Sequence, residues 1–499
     1  MDVFIQALGE VFNPLSVVLV VAGTVFGMVC GALPGISTSL AIILCLPFTY
    51  TMTPAAAVVL LIAVYVGGAC GGSISAILIK SPGTPEAVAT TFDGYPMAQK
   101  GEAGIALGLA VTASSFGTIF SAVVMLIAAP LLATVALSFQ SAEYFGLSLI
   151  GLSCITSIAA KDQMKAALSV ILGLMISTIG IDSINGTERF AFGQPFLLNG
   201  INYISVMIGA FAVAEVLKNI EEYRHRDNTL HEGGRVSIKL MKFAEMVKMW
   251  STFVTASIIG VIIGIIPAAG GSISSLIAYG EASRTHKNDP IKFGEGNPRG
   301  VVAPEASNNA GVGGALVPTM VLGIPGSPVT AVIMAAFIII GMRPGPLLLR
   351  EQPVLLNTVF LALVFSALLL FVGGRFVTRQ FGHILKLPYP LLGPLIMALG
   401  LVGAYSLQNS FYDVIVMFVF GLLGYLFDKF RYSSPALILG LILGELVENS
   451  LRKQIIIGDG SAAGFFNRPI SLVILVTAVV ILVWPLIGAV LKKKAKPAA

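Results

Sequence analysis

The chain has 499 residues, 56% of them hydrophobic and 11% charged, with a mean hydropathy of +0.91. That much apolar surface exceeds what a soluble core hides, so a soluble globular protein is excluded and an integral membrane protein remains. The net charge of +5, from 30 basic and 25 acidic residues, is confined largely to short connections and reads as membrane orientation; no nucleic-acid partner is expected.

At about 20 apolar residues per complete span, the length accommodates roughly ten to twelve transmembrane or half-spanning helical segments. The apolar runs are too long and too unalternating for lipid-facing barrel strands of about ten residues, so the fold class is an all-α integral membrane protein. Cys30, Cys45, Cys70 and Cys154 fall inside apolar runs without a CxxC spacing and are expected to be small buried hydrophobes rather than disulfides or metal ligands.

The N-terminal MDVFIQALGEVFNP lacks the basic n-region of a cleaved signal peptide. Phe4, Leu8, Val11 and Phe12 fit one face of a short interfacial helix ending before Pro14. Apolar runs then follow from 15–33 to 469–491, and some, such as 36–47 and 272–280, are too short to span.

The polar stretch 218–248 carries seven of the 30 basic residues and is expected to be a cytoplasmic linker by the positive-inside rule; it divides an N-terminal membrane repeat, 1–217, from a C-terminal one, 249–499. The tail lysines Lys492, Lys493, Lys494 and Lys496 are expected on the same side. Both basic runs also suit anionic membrane lipid.

The two halves share their punctuation. Pro34-Gly35 with Ser37, Thr38 and Ser39 matches Pro267, Gly270 and Gly271 with Ser272, Ser274 and Ser275, and Pro82-Gly83-Thr84-Pro85 matches Pro325-Gly326-Ser327-Pro328. Pro267 lies 233 residues beyond Pro34 and Pro325 lies 243 beyond Pro82, so an insertion of ten residues reconciles the copies. Basic residues flank the 267–275 motif on both sides, with Lys242 and Lys248 before it and Arg284, Lys287 and Lys292 after it, whereas positions 1 to 79 hold none. A segment that leaves and returns on one face is a re-entrant hairpin. The spacing therefore predicts inverted repeats with hairpin tips near 34–39, 82–85, 267–275 and 325–328.

A broken helix is tolerated in a membrane only where its freed backbone groups are buried in protein or face a water-filled cavity. Half-helix N-termini present N–H groups that suit a carboxylate, and C-terminal carbonyls suit a cation. Candidate substrate residues are therefore Pro34, Gly35, Ser37, Thr38, Pro82, Gly83, Thr84, Pro267, Gly270, Gly271, Ser272, Pro325, Gly326 and Ser327. The competing reading gives these hydroxyls to helix capping and close helix packing. Lys80 follows an apolar run and is a further carboxylate-binding candidate, against snorkelling or pairing with Glu86.

Ala303-Pro304-Glu305-Ala306-Ser307-Asn308-Asn309-Ala310 places a carboxylate and two amides at the mouth of an apolar helix. Asparagine carbonyls can coordinate Na⁺. Asn308 and Asn309, with Ser39 and Ser274, are candidate cation ligands, helix capping being the alternative. Asp93-Gly94-Tyr95-Pro96 reads as a turn. No HExxH, GxxxxGK[ST] or GxSxG occurs, so no enzyme or ATP-driven step is expected. No cofactor is called for beyond a coupling ion.

The stretches GALPGISTSLAIILCLPFTYTMTP, GGACGGSISAILIKSPGTPEAVATTFDGYPMAQKGEAG, GVIIGIIPAAGG, APEASNNAGVGGALVPTMVLGIPGSP and GMRPGPLLL resemble signature stretches of the TctA family, the large membrane subunit of bacterial tripartite tricarboxylate transporters. The resemblance is specific over 23–110 and 257–347 and one of hydrophobic pattern elsewhere. The family's GxLPG, PGTP, PEAxNNA and PGP stretches correspond to Gly31–Gly35, Pro82–Pro85, Pro304–Ala310 and Pro344–Pro346. The resemblance implies a multi-pass permease of the bacterial inner membrane. It would import tricarboxylates, dicarboxylates or related organic acids on a gradient of Na⁺ or H⁺, with a small four-helix membrane subunit and a periplasmic solute-binding protein. A more distant similarity to elevator-type dicarboxylate carriers implies alternating access. Lys80 departs from the small or amide side chains expected there, which puts citrate as the substrate in doubt. The alternative from another class is an uncoupled organic-anion channel.

Overall fold

A computed structural model describes residues 2–33, 36–157, 162–223, 240–241, 243–266, 270–384 and 389–494. The tip residues Pro34, Gly35 and Pro267 and most of the basic linker lie outside the described residues. The chain is an all-α membrane protein, as composition demands. Among the described residues, seven helices are long and apolar enough to cross a membrane, and six apolar helices of 10–17 residues accompany them.

Contacts divide the chain into two compact units, each built from both halves of the sequence: residues 1–134 with 215–407, and residues 135–214 with 408–499.

The first unit begins with α1 (Asp2–Val11), the expected short amphipathic helix, which packs on α17 (Pro353–Ile384) through Phe12 and Phe365, rings 5.1 Å apart. Next come α2 (Pro14–Ala32), α3 (Thr38–Thr49), α4 (Pro54–Ile79), α5 (Thr91–Gln99) and α6 (Ala103–Ala136). Most of α10 (Ala214–Tyr223) belongs to this unit, followed by α11 (Phe243–Lys248), α12 (Trp250–Ile265), α13 (Gly270–Thr285), α14 (Arg299–Leu322), α15 (Pro328–Ile339), α16 (Leu348–Glu351), α17 and α18 (Tyr389–Gln408). At 12 residues each, α3 and α15 are about 18 Å long, too short for a hydrocarbon core of about 30 Å. They are half-helices following breaks.

Two helices form the centre. α4 is buried from Ala55 to Ile77 and α14 from Gly300 to Val321, all round, which fits their lack of a polar face. α2 packs along α4 and α12 along α14. Backbone approach is so close that a Cβ on Gly27 would strike the Val64 carbonyl and one on Gly31 the Gly68 carbonyl. In the second half a Cβ on Gly260 would strike the Ser307 carbonyl, and one on Gly264 would press on that of Gly311. Small residues admit this approach where lipid supplies no hydrophobic driving force between helices. Asn308 faces Ala69 while Glu305 faces Ser73, so α4 and α14 run antiparallel.

The second unit holds α7 (Ser141–Ser157), α8 (Gln163–Ser177), a hairpin of β1 (Gly180–Ile181) and β2 (Glu188–Arg189), α9 (Tyr203–Met207) continued by a π-helical stretch Ile208–Val213, α19 (Phe411–Lys429), α20 (Ser434–Ile457) and α21 (Pro469–Lys494). α8 packs on α20, α7 on α20 and α21, and the π stretch on α19. Arg452 joins Asp182 and Glu448 at 2.8 and 2.9 Å, Arg189 meets Glu448 at 2.6 Å, and Arg468 meets the buried Glu143 at 2.6 Å. These pairs anchor the hairpin to α20 and join the ends of α7 and α21.

Candidate substrate and ion site

All four breaks fall in the first unit. At the first, Ser37 caps α3 by accepting from the Leu40 amide at 3.2 Å. Thr38 and Ser39 are buried, and Thr38 packs on Gly68 of α4. At the second, Lys80 closes α4 in a left-handed conformation, φ 56°. The Gly83 amide donates to the Gly72 carbonyl at 3.2 Å, and Gly83 lies so close to the Gly31 carbonyl that a Cβ would collide with it. Thr84 is buried over Gly72. The first two tips thus touch.

At the third break, Gly270 and Gly271 open α13. Gly271 lies against Glu86, from the second tip, and the Asn308 Oδ1 of α14, at 2.7 and 2.8 Å from where its Cβ would stand. The Ser274 and Ser275 hydroxyls donate back to the Gly271 carbonyl at 2.9 and 2.7 Å, while Ser272 stays half-exposed. At the fourth, Gly326 packs on Ala315 and its amide donates to Thr319 Oγ1 at 3.2 Å. Ser327 and Thr330 cap α15 reciprocally, and Ser327 Oγ meets Tyr65 Oη of α4 at 3.5 Å.

Residues from both halves are therefore interleaved. Gly83 meets Gly31, and Gly271, at the start of α13, meets both Asn308 and Glu86, which follows Gly83 by three residues. Pro82 and Ser37 remain half-exposed beside these contacts, whereas Pro325, Gly326 and Ser327 are buried. Lys80 is exposed, and its Nζ lies 5.5 Å from the centre of the Tyr95 ring.

Two local expectations change. Asp93–Pro96 is not a turn but part of α5. Asp93 is fully buried: its Oδ1 accepts from the amides of Gly294, Gly296 and Asn297 at 2.9, 2.8 and 2.7 Å, and its Oδ2 from the Tyr279 hydroxyl at 2.9 Å. The carboxylate replaces the hydrogen bonds that the loop before α14 lacks, and Lys100 adds a bond to the Glu295 carbonyl at 2.6 Å. The trio Glu305, Asn308 and Asn309 is not at the mouth of its helix but inside α14, nearly two and nearly three turns in, and buried.

Sequence reasoning named no partners for that trio. Asn308 Nδ2 donates to the Ala69 carbonyl at 2.9 Å and Asn309 Nδ2 to Thr118 Oγ1 at 3.1 Å. Glu305 accepts from the Thr90 hydroxyl at 2.5 Å and from Ser114 at 3.1 Å. The i, i+4 spacing of Ser114 and Thr118 matches that of Glu305 and Asn309, the one signal available before the fold was known. A cleft of about 580 Å³ in the second unit, lined in part by Gln140, Tyr144, Glu445, Asn449 and Lys453, contains none of these residues. Volume alone selects no ligand there, whereas the first unit offers helix breaks and buried polar groups.

The model of the family described as "Tripartite tricarboxylate transporter TctA family" matches residues 17–439. An "Uncharacterized 52.8 kDa protein in TAR-I ttuC' 3'region" of Agrobacterium vitis is 35% identical over 484 residues, covering 97% of this chain and 96% of that protein. An "Uncharacterized protein in TAR-II ttuC' 3'region" of the same organism is 33% identical over 235 residues, 47% of this chain and 97% of that protein. No solved structure matches.

Proposed function

This chain belongs to the tripartite tricarboxylate transporter TctA family, and on that premise we propose that it is the permease subunit of a binding-protein-dependent importer of tricarboxylates, dicarboxylates or related organic acids. The substrate carboxylates bind at the helix breaks of the first unit. The coupling cation, Na⁺ or H⁺, binds nearby among hydroxyls and carbonyls, with Ser39, Ser274, Asn308 and Asn309 as candidates. The chain works in the bacterial inner membrane with a small four-helix membrane subunit and a periplasmic solute-binding protein.

The observation that carries this reading is the meeting of breaks from both halves, with Gly271 at the start of α13 against Glu86 and Asn308. Helix N-termini supply N–H donors and positive dipole ends to a carboxylate, and a single alternately exposed site needs such elements from both halves.

An inverted repeat is supported by register. Gly27 against Val64 and Gly31 against Gly68 recur as Gly260 against Ser307 and Gly264 against Gly311, at the offsets 233 and 243 found between the proline motifs. α4 and α14, equivalent at the second offset, run antiparallel. The basic residues of the 218–248 linker support a cytoplasmic connection by the positive-inside rule.

The test is uptake of labelled citrate, succinate, tartrate and an aromatic acid into cells expressing the chain with both partners, with and without Na⁺. Concentrative uptake that needs a cation gradient and the binding protein is expected. Flux that only equilibrates and ignores both sinks the reading in favour of an anion channel.

A further inference from the structure

Glu305 is a carboxylate with no exposure at all, in the middle of the first unit. Its two oxygens are met by hydroxyls only: Thr90 on Oε1, Ser114 on Oε2, and Ser73 of α4 as a further partner. Among the described residues it forms no ion pair with any lysine, arginine or histidine. One turn along the same face of α14, Asn309 is fully buried; its amide is committed to Thr118, and its Oδ1 has no hydrogen-bond partner.

α6 and α14 thus run parallel along a polar seam: Ser114 opposite Glu305, Thr118 opposite Asn309, and Ser121 opposite Gly313. Hydroxyls can turn from donating to a carboxylate to lending it lone pairs around a cation, and an amide oxygen without a donor is an unused ligand. A lone buried carboxylate costs several kcal/mol in a low-dielectric interior unless it is paired or neutralised.

We propose that Glu305 is the coupling residue: one small monovalent cation, a proton or Na⁺, binds its carboxylate within the cradle of Thr90, Ser114 and the Asn309 carbonyl, and the unit can change its exposure only when that charge is neutralised. This rests on the transport reading above and adds to it the residue that makes cation binding obligatory. Coupling follows because moving the unneutralised charge through hydrocarbon is costly while the occupied, neutral site moves freely.

The other titratable groups on the elements packed against α14 are engaged elsewhere or stand apart. Tyr65 of α4 meets Ser327, Asp93 of α5 holds the 294–297 amides, Tyr95 of α5 lies under the Lys80 ammonium, Tyr279 of α13 binds Asp93, and Glu281 and Arg284 of α13 pair with each other at 2.8 Å. Cys70 of α4 is a buried thiol near Glu305, and Glu86 lies in the second tip. Lys80 at the end of α4, with Arg350 and Glu351 of α16, is exposed. α12 and α15 carry none, and the same holds for α6.

The experiment is thermal unfolding of the purified full-length chain in detergent, wild type against Glu305→Gln. Na⁺ is titrated against choline at constant ionic strength, and pH is varied separately. Wild type should gain a few degrees from Na⁺, or from lowering pH if the proton is the ligand. Glu305→Gln, which keeps the volume but is permanently neutral, its Nε2 donating to a hydroxyl where a carboxylate oxygen accepted, should lose that one response.

Thr90→Ala and Ser114→Ala are milder changes that secure the test should the glutamine variant not fold: with Na⁺ as the ligand each should raise the Na⁺ concentration needed for half the shift by about tenfold, and with the proton as the ligand the loss of a hydroxyl that donates to the carboxylate should move the response to higher pH. Equal cation and pH responses in wild type and Glu305→Gln, no response in wild type, or unchanged dependence in both hydroxyl variants would overturn the proposal. The assay uses no substrate or partner, so a failed uptake experiment with an intact Glu305 response would count against the permease reading alone.

Discussion

The Asp93 carboxylate accepts the backbone amide of Asn297 at 2.7 Å, joining two residues 204 positions apart, and takes the Gly294 and Gly296 amides with the same oxygen. Each charge-assisted bond of this kind contributes about 1.5–3 kcal/mol, and leaving the amides buried without a partner adds to the loss. Asp93→Ala should lower stability by about 3–5 kcal/mol, read as unfolding temperature in detergent. Tyr279→Phe, which removes only one donor, should cost about 1 kcal/mol.

The glycine seams between the helix pairs make a sharper prediction. Gly27→Leu or Gly260→Leu places a side chain where a backbone carbonyl stands, and either should cost more than about 3 kcal/mol or abolish a monodisperse product. Gly9→Ala, in α1 with nothing within 4 Å, should be neutral or stabilise by about 0.5–1 kcal/mol. Similar losses at all three positions would show that the close approach does not govern stability.

Lys80 separates function from folding. Its left-handed backbone, φ 56°, costs a side-chain-bearing residue roughly 1–2 kcal/mol that glycine does not incur. Lys80→Gly should therefore be at least as stable as wild type, and Lys80→Ala no more stable than wild type. If the ammonium serves substrate carboxylates, both variants should take up far less acid at unchanged expression; undiminished uptake removes Lys80 from the site.

In the second unit, the amide of Ile184, helped by Arg452 and the Asn185 amide, holds the Asp182 carboxyl down at about 2 against the effect of burial. A depressed folded value means that its contribution is complete above the unfolded value of about 3.9 and is lost as pH falls toward 2. Hydrogen exchange of the 182–187 amides should accelerate over that window. Arg452→Ala should move the acceleration to higher pH, and an unmoved profile would show that Arg452 does not hold the hairpin.

Membership of the lipid phase, the all-α fold and the breaks at glycine and proline follow from composition and local stereochemistry, and these were legible in the chain. So was the short helix before Pro14, because amphipathic spacing is a local property. Asp93 was misread for the same reason: Asp-Gly-Tyr-Pro has turn chemistry locally, and only amides 201 to 204 residues away make a buried carboxylate tolerable inside a helix.

Composition and the doubled motif are thus what the sequence determined by itself, since lipid solvation and backbone stereochemistry act residue by residue. Tertiary structure alone decided that the compact units each draw on both halves, that Gly271 lies against Glu86, and that Glu305 has hydroxyls rather than a cation for company. Such pairings depend on which helix faces meet across hundreds of residues, and in a helix bundle whose faces are nearly all apolar, hydrophobic pattern does not distinguish one facing from another.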